Sequence, residues 1–223
     1  MNGATLDLAK IMAAPQFSNS IQLMISLGLI SLLPFFLISV TSFLRIIIVF
    51  SLLRTAIGTQ QVPPNSVLIG LALFMTVFIM SPVWQEVNTN ALVPYNAGKI
   101  SQAKAIEVGL RPLSQFMLRQ TREKDLGLFV QFAKIKPPKT AAEVPFYVLV
   151  PAYMISELKT GFQIGFLLFV PFIIIDLVVA NILLSLGMFM LSPVMVSLPF
   201  KILLFVLVDG WNLISRGLMM SFR

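Results

Sequence analysis

Twenty-four consecutive residues, Ile21–Leu44, carry no charge. As a helix, such a run is long enough to cross the roughly 30 Å hydrocarbon core of a bilayer. Ser66–Gln85 is a second uncharged run, of 20 residues, and residues 160–200 hold a single charge, Asp176. That last span has room for two membrane-length helices. Hydropathy therefore predicts four apolar helices around an extramembrane middle, and an all-α fold of kinked helical hairpins. Composition agrees: 57% of residues are hydrophobic, 11% are charged, and the mean hydropathy is +0.92. A soluble domain averages about 45–50% apolar and about 25% charged residues.

The apolar runs are unusually broken. Pro34, Pro82, Pro151, Pro171, Pro193 and Pro199 lie in or beside them. Each removes a backbone donor and frees a carbonyl, which in hydrocarbon must find a partner. Such a chain suits packing against other protein better than isolation in lipid. Pro34 is expected to kink the first run. Pro63-Pro64 breaks helix before Asn65, a residue suited to cap the next one. Ser192-Pro193 reads as a hairpin turn.

The absent residues exclude whole chemistries. With 0 Cys and 0 His, disulfides, thiolate or imidazole catalysis, and zinc sites built on these ligands cannot form. Neither nucleotide fingerprint, GxGxxG or GxxxxGK[ST], occurs. The chain is read as a non-enzyme without cofactor or metal. Its net charge of +7 does not indicate nucleic acid, because most Phe residues lie in uncharged runs.

Four segments follow. Residues 1–20 are a polar N-terminal segment suited to a mature start after signal cleavage. Residues 21–85 form a first apolar hairpin. Residues 86–143 form a basic amphipathic middle domain, and residues 144–223 a second apolar region with the C-terminus. Lys99–Glu143 holds nine basic and four acidic side chains. Within it, Ser101 is expected to cap a short helix over Ser101–Val108, with Gly109 beyond its end and Pro112 opening the next. Thr140–Glu143 matches a capping box weakly, with Pro145 close behind.

A charge in apolar sequence tends to be paired or to line a water path. Glu157 and Lys201 are of opposite sign and lie in different helices, so we expect an ion pair between them, within one chain or between copies. Asp176 has two readings, a proton relay or a structural carboxylate. The second is favoured, because no other intramembrane carboxylate stands at helical spacing from it. Gly161 and Gly165 form a GxxxG that lets helix backbones approach. Met188-Phe189-Met190 places soft, unbranched side chains beside a turn. Read without other information these are core residues; several copies meeting there would form a deformable apolar constriction.

Long ordered strings carry a family resemblance: Ser42–Asn65, Ser66–Val83, Phe116–Phe129, Val148–Ala180 and Leu191–Ile214. They resemble the FliP/SctR family of type III export-gate proteins. Thr59 before Gln60-Gln61, and the RQTREKDL string, look flagellar rather than injectisome-like. The resemblance implies a core subunit of the flagellar protein export gate, passing unfolded rod, hook and filament subunits. It implies a pentamer-like ring of copies, FliQ-like and FliR-like gate subunits, and FlhB-like and FlhA-like export proteins. It places the chain at the bacterial inner membrane, in the flagellar basal body. It also implies helical hairpins raised out of the bilayer plane. In this family three consecutive Met commonly form a pore gasket; Phe189 takes the middle position here. The positive-inside rule would put the basic middle domain in the cytoplasm, whereas the resemblance implies the periplasmic side, and the rule is weak for loops of about this length. The alternatives are a small-solute or ion transporter subunit using Asp176, an injectisome gate subunit, and a membrane scaffold with no conduit.

Overall fold

The computed structural model describes residues 19–135 and 143–222, and all regular structure among them is helical. The polar start over residues 1–18 and the Thr140 capping box lie outside the described residues. The helices are α1 (Asn19–Val40), α2 (Phe43–Ile57), α3 (Asn65–Asn96), α4 (Gln102–Gln120), α5 (Glu123–Phe132), α6 (Phe146–Ser185), α7 (Pro193–Leu207) and α8 (Gly210–Met220). α3 is α-helical to Val87 and takes one π turn at Asn88–Leu92. Pro94, which cannot donate to the helical ladder, is the second residue after it.

Helices α3 and α6 are each long and apolar enough to cross a membrane. Two further segments qualify only as bent pairs: Pro34–Val40 of α1 with α2, turning by 85°, and α7 with α8, turning by 63°. The uncharged run Ile21–Leu44 is thus not one helix. It breaks at Thr41-Ser42, and Pro34 lies inside α1. The 40 residues of α6 extend about 60 Å, twice the hydrocarbon thickness.

The longest packing contact is between α2 and α6, which run side by side in the same direction. Arg45 meets Glu157, Ile48 meets Gly161, and Leu52 meets Gly165. One buried cluster is built on this seam: Ile46, Val49, Phe50 and Leu53 of α2 are fully enclosed by α3, α6, Phe205 of α7 and Ile214 and Leu218 of α8. Each such side chain contributes roughly 1.5–3 kcal/mol by leaving water. A second cluster joins Leu113, Phe116 and Met117 of α4 and Val130 of α5 to Val148, Leu149 and Tyr153 of α6. The core of the charged middle segment is therefore completed by the first half of an apolar helix.

Ser101 caps α4 as expected, its hydroxyl accepting from the Lys104 N–H at 3.3 Å. The helix does not stop at Gly109, however, and runs through Pro112 to Gln120. Gly109 serves a close approach instead: a Cβ there would lie 3.4 Å from Ala91 of the π turn. Asn65 is the first residue of α3 rather than its cap. Its Oδ1 accepts from Arg54 Nη1 at 2.6 Å, which ties the end of α2 to the start of α3.

Candidate functional site

The loop Leu186–Ser192 joins α6 to α7. Gly187 takes φ +73°, a left-handed conformation open to glycine. The Met188 N–H donates to Leu183 O at 2.9 Å and the Gly187 N–H to Leu184 O at 3.1 Å. This paired closure satisfies the last carbonyls of α6 and stops it sharply. Ser192 then precedes Pro193, whose fixed φ suits the first position of α7. Between these stops, Met188 and Phe189 project outward, and Met190 is 100% exposed. Three large apolar side chains held in solvent by two well-defined helix ends are unlike core residues.

The hairpin behind this loop is tied by charge. Lys201 Nζ donates to Asp176 Oδ2 at 2.6 Å, and the Ser197 hydroxyl donates to Asp176 Oδ1. Ser197 and Lys201, four residues apart, share one face of α7. Lys201 Nζ also reaches Ala56 O at 3.5 Å, near the C-terminal end of α2. A cation is favoured there by the unpaired carbonyls.

The expected Glu157–Lys201 pair is not formed within the chain. Glu157 is bound by Arg45: Nε donates to Oε2 at 3.0 Å, and Nη2 makes the second arm to Oε1. The planar guanidinium fork matches both carboxylate oxygens. The remaining donors of Arg45 are used as well. Nη1 donates to Ser221 O and Oγ, both at 3.0 Å, and Nη2 to Gln120 Oε1 at 2.9 Å. The guanidinium lies 3.9 Å over the Phe222 ring. One buried residue thus joins α2, α4, α6 and the residues after α8. The reason is register: α2 and α6 run in parallel and bring Arg45 beside Glu157, while Lys201 stands farther along, beside Asp176.

The polar face of α6 continues this seam. Tyr153 donates to Thr41 O at 2.7 Å, and Ser156 donates to Asp125 Oδ2 at 2.9 Å while accepting from the Arg122 N–H at 3.0 Å. Lys159 pairs with the other Asp125 oxygen. Arg122 Nη2 donates to Thr160 at 3.2 Å and to Gln163 at 2.5 Å. The hydrogen bond from Lys159 is the main cause holding the Asp125 carboxyl below its ordinary pKa, with Ser156 adding to it against the opposing effect of burial.

Gly161 and Gly165 face α2 at the closest approach of the two helices. A Cβ on Gly165 would fall 2.1 Å from Leu52 Cδ1, and one on Gly161 would fall 3.0 Å from Ile48 Cγ2. Among the described residues, no three side chains of metal-ligating type converge. The buried charged groups Arg45, Asp125, Glu157 and Lys201 each have an opposite charge in contact.

Sequence reasoning did not assign Arg45 a role. The available signal was its position: a cation adjoining 24 uncharged residues needs a buried acceptor. Ser197 was missed because a lone Ser in an apolar run carries no signal of its own.

Apolar helices, proline-broken runs and buried charges that are all paired define a helical protein of the membrane class. The particular family comes from comparison. The FliP family model matches residues 26–218. The chain is 53% identical to the flagellar biosynthetic protein FliP of Bacillus subtilis (strain 168), over 92% of this chain and 93% of that protein. It is 54% identical to the protein of the same name from Pectobacterium carotovorum subsp. carotovorum, over 91% and 79% of the two chains. With that of Aquifex aeolicus (strain VF5) it shares 48% identity over 92% and 87%. The chain belongs to the FliP family.

Proposed function

We propose that the chain is a subunit of the flagellar export apparatus in the bacterial inner membrane, and that copies of it line the pore of the export gate. Met188, Phe189 and Met190 form the constriction in this reading. The observation that carries it is their exposure at the tip of a hairpin whose two arms are locked together by Asp176, Ser197 and Lys201. A ring of such tips would present flexible apolar side chains to the axis. An apolar constriction excludes water and ions by dewetting. Unbranched side chains can part for a polypeptide and close behind it. Phe189 is stiffer than a methionine, so this gasket has less give at its middle position.

The apolar exteriors of α1, α3 and α6 suit burial against other copies and against FliQ-like and FliR-like subunits, with FlhB-like and FlhA-like proteins alongside. The middle domain sits on the periplasmic side. The chain does no bond-making chemistry and draws on energy supplied elsewhere. A transporter reading would need Asp176 to exchange protons with a water path, whereas both of its oxygens are engaged inside the hairpin by Ser197 and Lys201.

Deleting the gene and restoring it tests the reading. Secreted hook protein and filaments should vanish on deletion and return on complementation, with membrane integrity unchanged. Filaments that persist in the deletion strain exclude the flagellar assignment.

A further inference from the structure

The 85° turn between Pro34–Val40, the end of α1, and α2 has no proline or glycine at its apex. The residues there are Val40-Thr41-Ser42-Phe43. Sharp helix bends almost always trace to such residues, to a π-bulge, or to a side chain entering the hydrogen-bond ladder. The last applies here. In an unbroken helix the Thr41 carbonyl would accept from the Arg45 N–H. In the structure it accepts from the Tyr153 hydroxyl at 2.7 Å.

Ser42 shows that the turn is incompletely satisfied. As the N-cap of α2 it holds φ −64° and ψ −6°, helical values, and makes no capping bond. An N-cap is ordinarily extended and accepts from the first turn. Its hydroxyl is fully buried and has no partner among the described residues. Serines inside these same helices find one: Ser39 donates to Phe35 O at 2.7 Å and Ser51 to Ile47 O at 2.8 Å, each one turn back. Straightening the chain would let Ser42 bond Ile38 O in the same way. The end of α1 is anchored, with Val40 buried in the second cluster, Ile38 packed on the first and Phe36 stacked on Phe146, whereas among the described side chains before it Leu23, Met24, Leu27, Ile30 and Leu32 are exposed.

We infer that Thr41-Ser42 is a two-position hinge: α1 is pinned across the bundle by Tyr153 and can swing in line with α2 to form one helix over residues 19–57. This goes beyond the pore reading and does not depend on it. The element is bistable because each position satisfies a group the other leaves without its partner. The bent form uses the Tyr153 hydroxyl, and the straight form uses the Ser42 hydroxyl and returns Thr41 O to the ladder.

The chain has no cysteine, so spin labels at cysteines replacing Leu27 and Thr55, both exposed, report without background. At 1.5 Å per residue these positions lie about 30 Å apart across the turn and about 42 Å apart in a straight helix. Pulsed electron–electron resonance is recorded on the full chain in lipid nanodiscs. The wild type should show a main distance near the first value and a minority near the second. Tyr153→Phe removes the pin and should enlarge the long population. Ser42→Ala removes the orphan hydroxyl and the bond it would make when straight, and should diminish the long population about tenfold. Ser42→Pro fits the observed φ, but in the straight helix it removes a backbone bond and crowds the carbonyl one turn back, a cost of about a hundredfold in population, and should take the long population below detection. Opposite shifts in Tyr153→Phe and Ser42→Ala are not produced by a general loosening of the fold. A single short distance in both the wild type and Tyr153→Phe overturns the hinge, as does a long population that survives Ser42→Pro. Should Tyr153→Phe fail to fold, the wild type's long population must be present and must vanish in Ser42→Pro. Its absence then overturns the hinge.

Discussion

Along the first half of α6, Tyr153, Ser156, Glu157, Lys159, Thr160 and Gln163 are all hydrogen-bonded to other elements. Beyond Gly165 the same helix is held by Phe172, Val179 and Leu183, and by Asp176 with its partners across the hairpin. Its other large side chains there, from Phe166 to Leu184, are mostly exposed. The first half is positioned by direction-sensitive contacts to four segments. The second is an arm with one polar tie, its apolar surface left for neighbours. Rigid placement and a free apolar exterior are built into one continuous helix.

The comparison can be broken at its strongest point. Arg45→Met leaves Glu157 buried without its counter-charge and should cost about 3–5 kcal/mol. Thermal unfolding of the purified protein in detergent would read this as the largest loss of any single substitution considered. Arg45→Met with Glu157→Met should recover part of it, since no charge is left uncompensated. Equal losses in the single and double variants would show that the clamp acts only through packing.

In the arm, Asp176→Asn keeps the shape but removes the charge opposite Lys201. The expected loss is about 1.5–3 kcal/mol, the range for a hydrogen bond to a charged group. It should be smaller than that of Arg45→Met, because Asp176 is itself 27% exposed at its side chain. The same melting measurement ranks the two.

Glycine substitutions sharpen the boundary between the halves. Gly165→Ala drives a methyl into Leu52 and should destabilise by about 1–3 kcal/mol. Gly161→Ala meets Ile48 at 3.0 Å and should cost less. Gly127→Ala in α5 meets nothing within 4 Å and should stabilise by about 0.5–1 kcal/mol through helix propensity. An order other than this would contradict the close seam between α2 and α6.

The smallest effect expected is acid-dependent. Asp125 titrates lower in the folded protein than in the unfolded chain. Its contribution to stability is complete above the unfolded value of about 3.9. It is lost as pH falls through the folded value. Asp125→Asn should therefore lower stability at neutral pH and flatten the decline below about pH 4. Melting temperatures recorded across that range would show it.

Much of this architecture was legible in the uncharged runs, because only helices long enough to bury them could form. Ser101 announced its cap for a local reason, the spacing of one hydroxyl from one N–H. The ion pairs were not legible by sign alone. Glu157 and Lys201 are complementary charges, but the α6–α7 hairpin sets Lys201 beside Asp176, and Glu157 meets Arg45 through the register of α2 against α6, which no local pattern states. Asp176 and Lys201 were recoverable in principle: each lies 12 residues from the Met188-Phe189 centre of the turn, so a hairpin closing there sets them opposite one another. The bend at Thr41-Ser42 was hidden because Pro34 is the conspicuous breaker in that run, and the hydroxyl that opens the ladder comes from Tyr153, 112 residues away.

We propose above all that the exposed tip of the α6–α7 hairpin seals the export pore. The direct measurement is ion conductance across the membrane of cells carrying Met188→Ser, Phe189→Ser and Met190→Ser together, with secretion of hook protein followed in parallel. Small polar side chains should hydrate the constriction, so the account predicts an ion leak while export continues. An ion-tight membrane in cells that still assemble the triple variant would contradict it.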